Sequence, residues 1–215
     1  MKYLLRLIVF NLMMGSAYAQ GIDAATKNDA NAQFELGLDY VTRQGVAKDY
    51  FEAVRLWKLA AAQGHTQAQF NLGNMYDNGL GVVKDYVEAV RLWKLAAAQG
   101  HAQAQFNLGN SYKNQRGVFQ DYAEAIRWYK LAASQGSGRA QHSLGLMYGN
   151  GQGVKKDYLK AYMWFDLATL EVGDIVSDVA KKDRDIVSAV MSRVEVEYAQ
   201  KLAQDCKSRN FKSCD

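Results

Sequence analysis

The sequence contains three histidines, whose imidazole groups could bind zinc or transfer protons. His65 and His101 lie 36 residues apart at equivalent positions of a repeated motif, whereas His142 stands alone. Equivalent positions on neighbouring stacked helices lie about 10 Å apart, but zinc binds an imidazole nitrogen at about 2.1 Å. His65 and His101 therefore do not share a zinc ion. Because both directly precede a helical pattern, we predict that they are turn residues that help to cap the following helix.

Carboxylates recur with the same repeat at Glu52, Glu88 and Glu124, and an arginine follows each of them three residues later. General acid–base catalysis needs two carboxyl groups in different environments, and repetition makes these three equivalent. The spacing instead predicts solvated ion pairs on helix surfaces, each worth roughly 0.2–0.5 kcal/mol.

Two stretches carry a superficial likeness to ligand-binding loops. The glycine-rich residues 149–153 follow a helical pattern instead of a strand and lack the Lys-Ser/Thr pair of a phosphate loop. Residues 77–79 begin like a calcium loop, but no glutamate closes a loop of about 12 residues at the required place. The sequence therefore predicts no catalytic residues, no metal site and no cofactor, and it favours a protein that is not an enzyme.

The dominant pattern is an internal repeat with a period of 36 residues. Residues 49–65 and 85–101 differ at one position only, Phe51 against Val87. The related segments AQFELGLDY, AQFNLGNMY, AQFNLGNSY and AQHSLGLMY begin at residues 32, 68, 104 and 140. A fixed period between about 20 and 50 residues indicates a solenoid of stacked units. We expect a lead-in at 20–28 and four units at 29–64, 65–100, 101–136 and 137–173.

Each unit contains two helical patterns, which we call helix A and helix B. The second unit places one apolar face on helix A (Ala68, Leu72, Met75, Tyr76) and another on helix B (Ala89, Val90, Trp93, Ala96, Ala97). We expect positive φ angles at Gly79 and Gly81 in the turn between them. Asp85 is placed as the N-cap of helix B, and Gly100 follows its C-terminus.

Every helix A contains an interior glycine, at Gly37, Gly73, Gly109 and Gly145. Glycine costs about 1 kcal/mol relative to alanine inside a helix, so we predict that the missing side chain allows a neighbouring helix to approach closely. Helix B carries a bulky aromatic residue eight positions after its N-cap aspartate, at Trp57, Trp93, Tyr129 and Phe165. Residues at this spacing are typical of a core, not of a ligand site.

Residues 1–19 have the features of a signal peptide. Lys2 and Arg6 precede a short apolar run, and the run is followed by a small-x-small sequence that ends at Ala19. The alternative, a buried or membrane-spanning helix, is disfavoured because a span needs about 20 apolar residues. We expect an exported protein, periplasmic or secreted, that begins at Gln20 and has no membrane anchor after cleavage. Removal of Lys2 and Arg6 lowers the net charge from +4 to +2, which is too weak to indicate nucleic-acid binding.

The repeat stops after residue 173, and residues 174–215 are predicted to form capping helices. The last of these helices is expected at about 193–207, and Ser192 and Glu195 have the spacing of a capping box. Cys206 and Cys214 are the two cysteines of the chain, and in an exported protein such a pair indicates a disulfide. A redox-active thiol pair is the less favoured alternative, since it more often has CxxC spacing.

The combined pattern A-x-x-x-L-G-x-x-Y, G-x-G-V-x-x-D-Y-x-x-A and W-x-x-x-A-A-x-x-G resembles the Sel1-like repeat, a relative of the tetratricopeptide repeat. The second unit carries this resemblance at Ala68, Leu72, Gly73, Tyr76, Gly79, Gly81, Val82, Asp85, Ala89, Trp93, Ala96, Ala97 and Gly100. It departs at Arg43, where two of the other units have glycine, and at His142, where the others have phenylalanine. The tail CKSRNFKSC also resembles the ends of exported bacterial Sel1-repeat proteins.

The resemblance implies an all-α, right-handed α/α superhelical solenoid that acts as an adaptor and binds a protein or peptide in its concave groove. Positions that face the groove in tetratricopeptide relatives match Gln67, Phe70, Asn74, Asp77, Gln103, Phe106, Asn110, Lys113, Arg139 and His142, with Leu146 and Gly149 beside them. Asparagine can both donate to and accept from an extended peptide backbone. The basic residues at the C-terminal end of this set suggest an acidic peptide or a carboxylate end. Alternatively, Phe70 and Phe106 pack between helices and the asparagines are merely solvated.

Two other functions compete with the adaptor. Cysteine-rich Sel1-repeat proteins are associated with penicillin binding and weak β-lactam hydrolysis, but here no repeat contains a cysteine and no S-x-x-K set is evident. A passive structural spacer is the other alternative, and it predicts no distinctive chemistry on the A helices. The sequence identifies neither the partner nor the oligomeric state.

Overall fold

The computed structural model describes residues 29–42, 48–170, 175–212 and 214. Over these ranges the chain forms ten α-helices and no strand, which confirms the all-α class. The predicted signal peptide, the lead-in and Arg43 lie outside the described residues. The helices are α1 (Ala30–Thr42), α2 (Tyr50–Ala62), α3 (Thr66–Asn78), α4 (Tyr86–Ala98), α5 (Ala102–Asn114), α6 (Tyr122–Ala133), α7 (Gly138–Asn150), α8 (Tyr158–Ala168), α9 (Ile175–Ser188) and α10 (Arg193–Ser208).

The chain divides into two compact units, one ending at Gln99 and one beginning at Gly100. The first contains the repeat pairs α1–α2 and α3–α4, and the second contains α5–α6 and α7–α8, in each case helix A followed by helix B. Within both units, paired helices pack against each other, and helix B also packs against helix A of the following repeat. In the second unit α9 packs on α7 and α8, and α10 packs on α8.

Side chains cap the helices as the repeat pattern predicts. The Asp85 carboxylate accepts hydrogen bonds from the backbone N–H groups of Val87 and Glu88, at 2.9 and 3.0 Å, and Asp49 caps its helix in the same way. Asp121 and Asp157 each accept from one backbone N–H, that of the third residue after the cap. The Nδ1 atoms of His65 and His101 accept from the backbone N–H groups of Ala68 and Ala104, at 3.1 and 3.2 Å. The predicted capping role of both histidines is confirmed.

The interior glycines of the A helices receive the aromatic residues of the B helices. A Cβ atom placed on Gly145 would lie 2.5 Å from the ring of Phe165, and one on Gly73 would lie 2.6 Å from the indole of Trp93. Gly37 meets Trp57 and Gly109 meets Tyr129 in the same way. Because real Cβ atoms do not approach other atoms so closely, these glycines are required for helix packing. The predicted close approach and the predicted aromatic core are both confirmed.

The repeated carboxylates are held on the surface. Glu88 pairs with Arg91 at 2.7 Å, and 58 % of the arginine side chain remains exposed. Glu52 and Glu124 make the same pair with Arg55 and Arg127. Such exposed i, i+3 pairs contribute only about a few tenths of a kcal/mol to stability. They are therefore surface ion pairs and not an acid–base site.

The tail closes onto the second unit. Ser192 forms the predicted capping box with Glu195 at the start of α10. Cys206 and Cys214 form the predicted disulfide, and both sulfur-bearing residues are buried in the same core cluster as Phe165. The ring of Phe211 packs beside Gly136, so the disulfide holds the end of the chain against the third repeat.

Candidate functional site

Each A helix has a partly accessible face beside its buried face. All ten of the residues predicted to bind a partner lie on this face of α3, α5 or α7. Gln103 and Arg139 are exposed, and the remaining eight are half-buried. Since α3 belongs to the first unit, we describe the second unit by itself and define its A face as Gln103, Phe106, Asn110, Lys113, Arg139 and His142.

Asparagines on the A helices hold the aromatic residues of the B helices. Asn110 Oδ1 accepts a hydrogen bond of 2.7 Å from the Tyr129 hydroxyl. In the first unit, Asn74 Oδ1 accepts a bond of 3.2 Å from the indole N–H of Trp93. Sequence reasoning took both asparagines as solvent-facing groups and did not find these partners. The amide oxygen of each asparagine therefore positions an aromatic side chain of the core. For Asn110, the amide N–H₂ is the group that can donate to a bound carbonyl.

Tyr129 links the two A helices of the second unit. Its side chain is fully buried, and burial raises the pKa of its hydroxyl well above the ordinary value. A hydrogen bond with the Ser143 side chain of α7 acts in the opposite direction on the same pKa. Because the hydroxyl stays protonated, it can donate to Asn110 on α5 while it contacts Ser143 on α7, and the two helices are held together through α6.

The phenylalanines of the A helices pack against these aromatic rings. The ring centroid of Phe106 lies 5.8 Å from that of Tyr129, in a tilted arrangement. In the first unit, Phe34 stacks on Trp57 and on the His65 imidazole, with centroids 6.3 and 4.6 Å apart. Phe106 remains half-buried, so it supports the core and still contributes an apolar patch to the A face.

His142 is engaged by the C-terminal helices. Its Nε2 atom lies 2.7 Å from Asp183 Oδ2 of α9, and its ring lies 5.4 Å from the ring of Phe165. Helix α9 therefore covers the His142 end of the second unit's A face. The charge pattern of residues 174–190 gave no indication of this pair, because the partners are 41 residues apart in sequence.

Sequence reasoning missed a further row of residues on the same face. Asn71, Asn107 and Ser143 lie four residues after Gln67, Gln103 and Arg139, and all three are half-buried. In the first unit, the Gln67 amide N–H₂ donates to Asn71 Oδ1 at 3.0 Å. Their i, i+4 spacing from the predicted binding residues could have identified them in the sequence.

Buried glutamines form a second set that sequence reasoning did not single out. Gln99 at the end of α4 donates to Gln69 Oε1 at 2.8 Å, and Gln69 donates to the Ala61 carbonyl at 3.1 Å. In the second unit, Gln135 donates to Gln105 at 2.8 Å. Since buried amides must be hydrogen-bonded, these contacts fix the alignment of adjacent helices. The recurrence of Gln in every AQ(F/H) segment was the signal.

The described residues contain no site for metal catalysis. Within the ranges that the structure covers, no three His, Cys, Asp or Glu side chains come close enough to hold a metal ion. A shallow hollow of about 350 Å³ beside the start of α8 is lined by Lys155, Lys156, Asp157, Glu195 and apolar side chains.

The family model of the Sel1 repeat matches residues 30–65, 66–101, 102–137 and 138–170. The chain belongs to the Sel1 repeat family. Its fold is therefore an all-α repeat solenoid, as predicted, and Sel1 repeat proteins generally mediate protein–protein interaction.

Solved structures of Sel1 repeat proteins are similar to this chain. A Sel1 repeat protein from Oxalobacter formigenes is 30 % identical, with a TM-score of 0.71, over 90 % of this chain and 80 % of that one. A protective antigen with an SLR fold, present in uropathogenic Escherichia coli strains, is 27 % identical with a TM-score of 0.59. This match covers 90 % of the chain but 49 % of the antigen, so the chain spans about half of that protein. A search of curated proteins found no match.

No helix in the described ranges is both long enough and apolar enough to cross a bilayer.

Proposed function

We propose that the A face of the second unit binds an acidic, extended segment of another protein. The observation that carries this proposal is the charge of its two helices. Helices α5 and α7 contain Lys113 and Arg139 and no aspartate or glutamate. At the end covered by α9, the Asp183 carboxylate contacts His142. A ligand with carboxylates therefore meets two cations and no carboxylate from these two helices.

The positive charge of α5 and α7 is not shared by every A helix. Helix α1 contains Glu35 and Asp39, and burial, followed by the charge of Glu35, raises the pKa of the Asp39 carboxyl. An acidic segment is therefore expected to prefer α5 and α7 over α1. The amide N–H₂ of Asn110 and the apolar edge of Phe106 lie on the preferred helix and supply backbone and side-chain contacts.

The first experiment is a selection of random peptides on the immobilised protein. We expect enrichment of peptides rich in Asp and Glu, and affinities that fall as salt is added. A double variant, Lys113→Glu with Arg139→Glu, should bind the selected peptides at least tenfold more weakly, which corresponds to about 1.4 kcal/mol. Binding without charge preference, or unaffected by the double variant, would refute the proposal.

The variants change the charge of the surface and do not remove a hydrogen bond of the core. Alanine at Asn74 or Asn110 would remove the acceptor of Trp93 or Tyr129 and weaken the core at the same time. Lys201→Glu combined with Lys207→Glu on α10 is the matched control, because both exposed lysines lie on another helix and the pair changes the net charge by the same amount. It should leave peptide binding within twofold of the original protein.

We also propose that the protein is exported and begins at Gln20. The sequence of residues 1–19 supports this proposal, and the disulfide between Cys206 and Cys214 is the bond expected in an oxidising compartment. Fractionation of the native host, combined with the mass of the purified chain, tests it. A cytoplasmic protein that retains Met1–Ala19 would contradict it.

A further inference from the structure

Helix α9 places a carboxylate on the A face of the second unit. Asp183 Oδ2 lies 2.7 Å from Nε2 of His142, and the two side chains remain 27 % and 17 % exposed. Because an ionised carboxylate can only accept a hydrogen bond, Nε2 of His142 is the donor. Arg139 precedes His142 by three residues on α7, and residues at this spacing are neighbours on one helix face. Asp183 therefore lies where the carboxylate of an acidic ligand would meet this face.

His142 is not explained by core packing. The other A helices have phenylalanine at this position, and the ring of Phe106 packs 5.8 Å from that of Tyr129. The imidazole of His142 keeps the matching contact, at 5.4 Å from the ring of Phe165. The histidine therefore preserves the packing of a phenylalanine and adds a nitrogen donor on the A face.

Helix α9 is attached to the second unit by few apolar contacts. Ser177, Ala180 and Val187 are its buried residues, and of these only Val187 belongs to the core cluster. Arg184 adds an ion pair with Asp166 of α8, at 2.9 Å. Helix α10, in contrast, buries three residues that all belong to the core cluster, and the disulfide ties its end. Since elements with few buried apolar contacts open at a low cost in free energy, α9 can move away while α10 stays in place.

We infer that α9 is a strap that competes with the acidic ligand for His142. The inference rests on the proposed function of this face. In the closed state, Asp183 accepts the hydrogen bond of His142, and α9 covers this end of the face. A ligand carboxylate that binds Arg139 and His142 displaces Asp183 and favours the open state. The apparent affinity is reduced by the fraction of molecules that are closed, so a looser strap gives tighter binding.

Removal of the competing carboxylate tests the strap. Asp183→Ala should bind the selected acidic peptides at least about threefold more tightly than the original protein. Asp178→Ala is the matched control, because it changes the net charge equally on the same helix, but Asp178 is 77 % exposed and pairs with Lys181. It should leave the affinity within about 1.5-fold. No gain for Asp183→Ala, or an equal gain for both variants, would overturn the inference.

The variant His142→Phe distinguishes competition from long-range charge. It restores the residue of the other A helices and removes the donor for which Asp183 and the ligand compete. In this background, Asp183→Ala should change the peptide affinity by less than about 1.5-fold, since the two residues act as a pair. A threefold gain that persists without His142 would show that Asp183 acts by its charge only, and it would overturn the strap.

Hydrogen exchange of the full mature chain, followed by mass spectrometry, separates this inference from the proposed function. Without peptide, Asp183→Ala should speed amide exchange in α9 at least about threefold and leave α10 unchanged. A saturating acidic peptide should speed exchange in α9 of the original protein. If no acidic peptide binds, the proposed function fails and the competition fails with it. If peptides bind but exchange in α9 is unchanged or slower, in the variant or with peptide, the proposed function stands and the strap is wrong.

Discussion

Two glycines of α7, four residues apart, are expected to respond in opposite directions to the same substitution. A Cβ atom on Gly145 would lie 2.5 Å from two ring atoms of Phe165, whereas one on Gly149 would meet only the Ala161 Cβ at an ordinary 3.6 Å. Neither glycine has a positive φ angle, so alanine suits the backbone at both sites. The comparison therefore separates helix propensity from helix packing.

The magnitudes follow from two opposing effects. Alanine gains about 1 kcal/mol over glycine in a helix interior. Overpacking of a filled core costs about 1–3 kcal/mol, and the upper end applies at Gly145 because Phe165 is only 2 % exposed and lies within the buried core cluster. We expect Gly145→Ala to lower the free energy of unfolding by about 2 kcal/mol and Gly149→Ala to raise it by about 0.5–1 kcal/mol.

Urea unfolding, followed by far-ultraviolet circular dichroism, measures both changes, and Gly145→Ala should also lower the melting temperature by about 4–8 °C. The double variant Gly145→Ala with Phe165→Leu should recover at least about 1 kcal/mol relative to the sum of the single changes, since the smaller side chain makes room. If Gly145→Ala stabilises the protein as Gly149→Ala does, close approach of Phe165 is not the reason for the glycine.

The remaining predictions concern single features of the second unit and its boundary. Gln115 has a left-handed backbone with a φ angle of 57°. Gln115→Gly should therefore stabilise the protein by about 0.5–1 kcal/mol in urea unfolding, and destabilisation would show that the glutamine backbone is not strained. Replacement of both Cys206 and Cys214 by serine should lower stability by about 2–3 kcal/mol, and a reductant should have no further effect on that variant. Burial lowers the pKa of His101 from its ordinary 6.5. The stability that the neutral imidazole contributes is therefore complete above pH 6.5, and it is lost as the pH falls towards the folded-state pKa. His101→Ser, which copies the cap at Ser137, should therefore flatten the decline of stability between pH 7 and about pH 5, and an unchanged slope would contradict this assignment.

Local features of the repeat were predictable because neighbouring residues determine them. Asp85 at the N-cap, Gly79 in the turn and His101 before helix A depend on contacts within four residues, and all three behave as predicted. The four-fold recurrence of Gly73 and Trp93 also indicated packing between helices. The recurrence did not show that Gly73 and Trp93 contact each other. A repeat period shows which face of a helix is buried, but it does not show which residue packs against that face.

Contacts between distant segments were not predictable from one sequence. The bond from Tyr129 to Asn110 crosses 19 residues, and the pair between His142 and Asp183 crosses 41. Both depend on how α5, α7 and α9 are placed by the core, and a helical pattern is satisfied by many such placements. Ile186 of α9 is 67 % exposed, and its outward direction was not predictable for the same reason, because an amphipathic segment can turn either side to its neighbour.

The most direct test of the proposed function is a nuclear magnetic resonance titration of the mature chain with an acidic peptide from the selection. Binding at the A face of the second unit should shift the amide signals of Gln103, Asn107, Asn110 and Arg139, and leave those of Arg127 and Glu124 on the outer side of α6 unchanged. Shifts confined to α6, α8 or α10, or no shift at saturating peptide, would contradict the account.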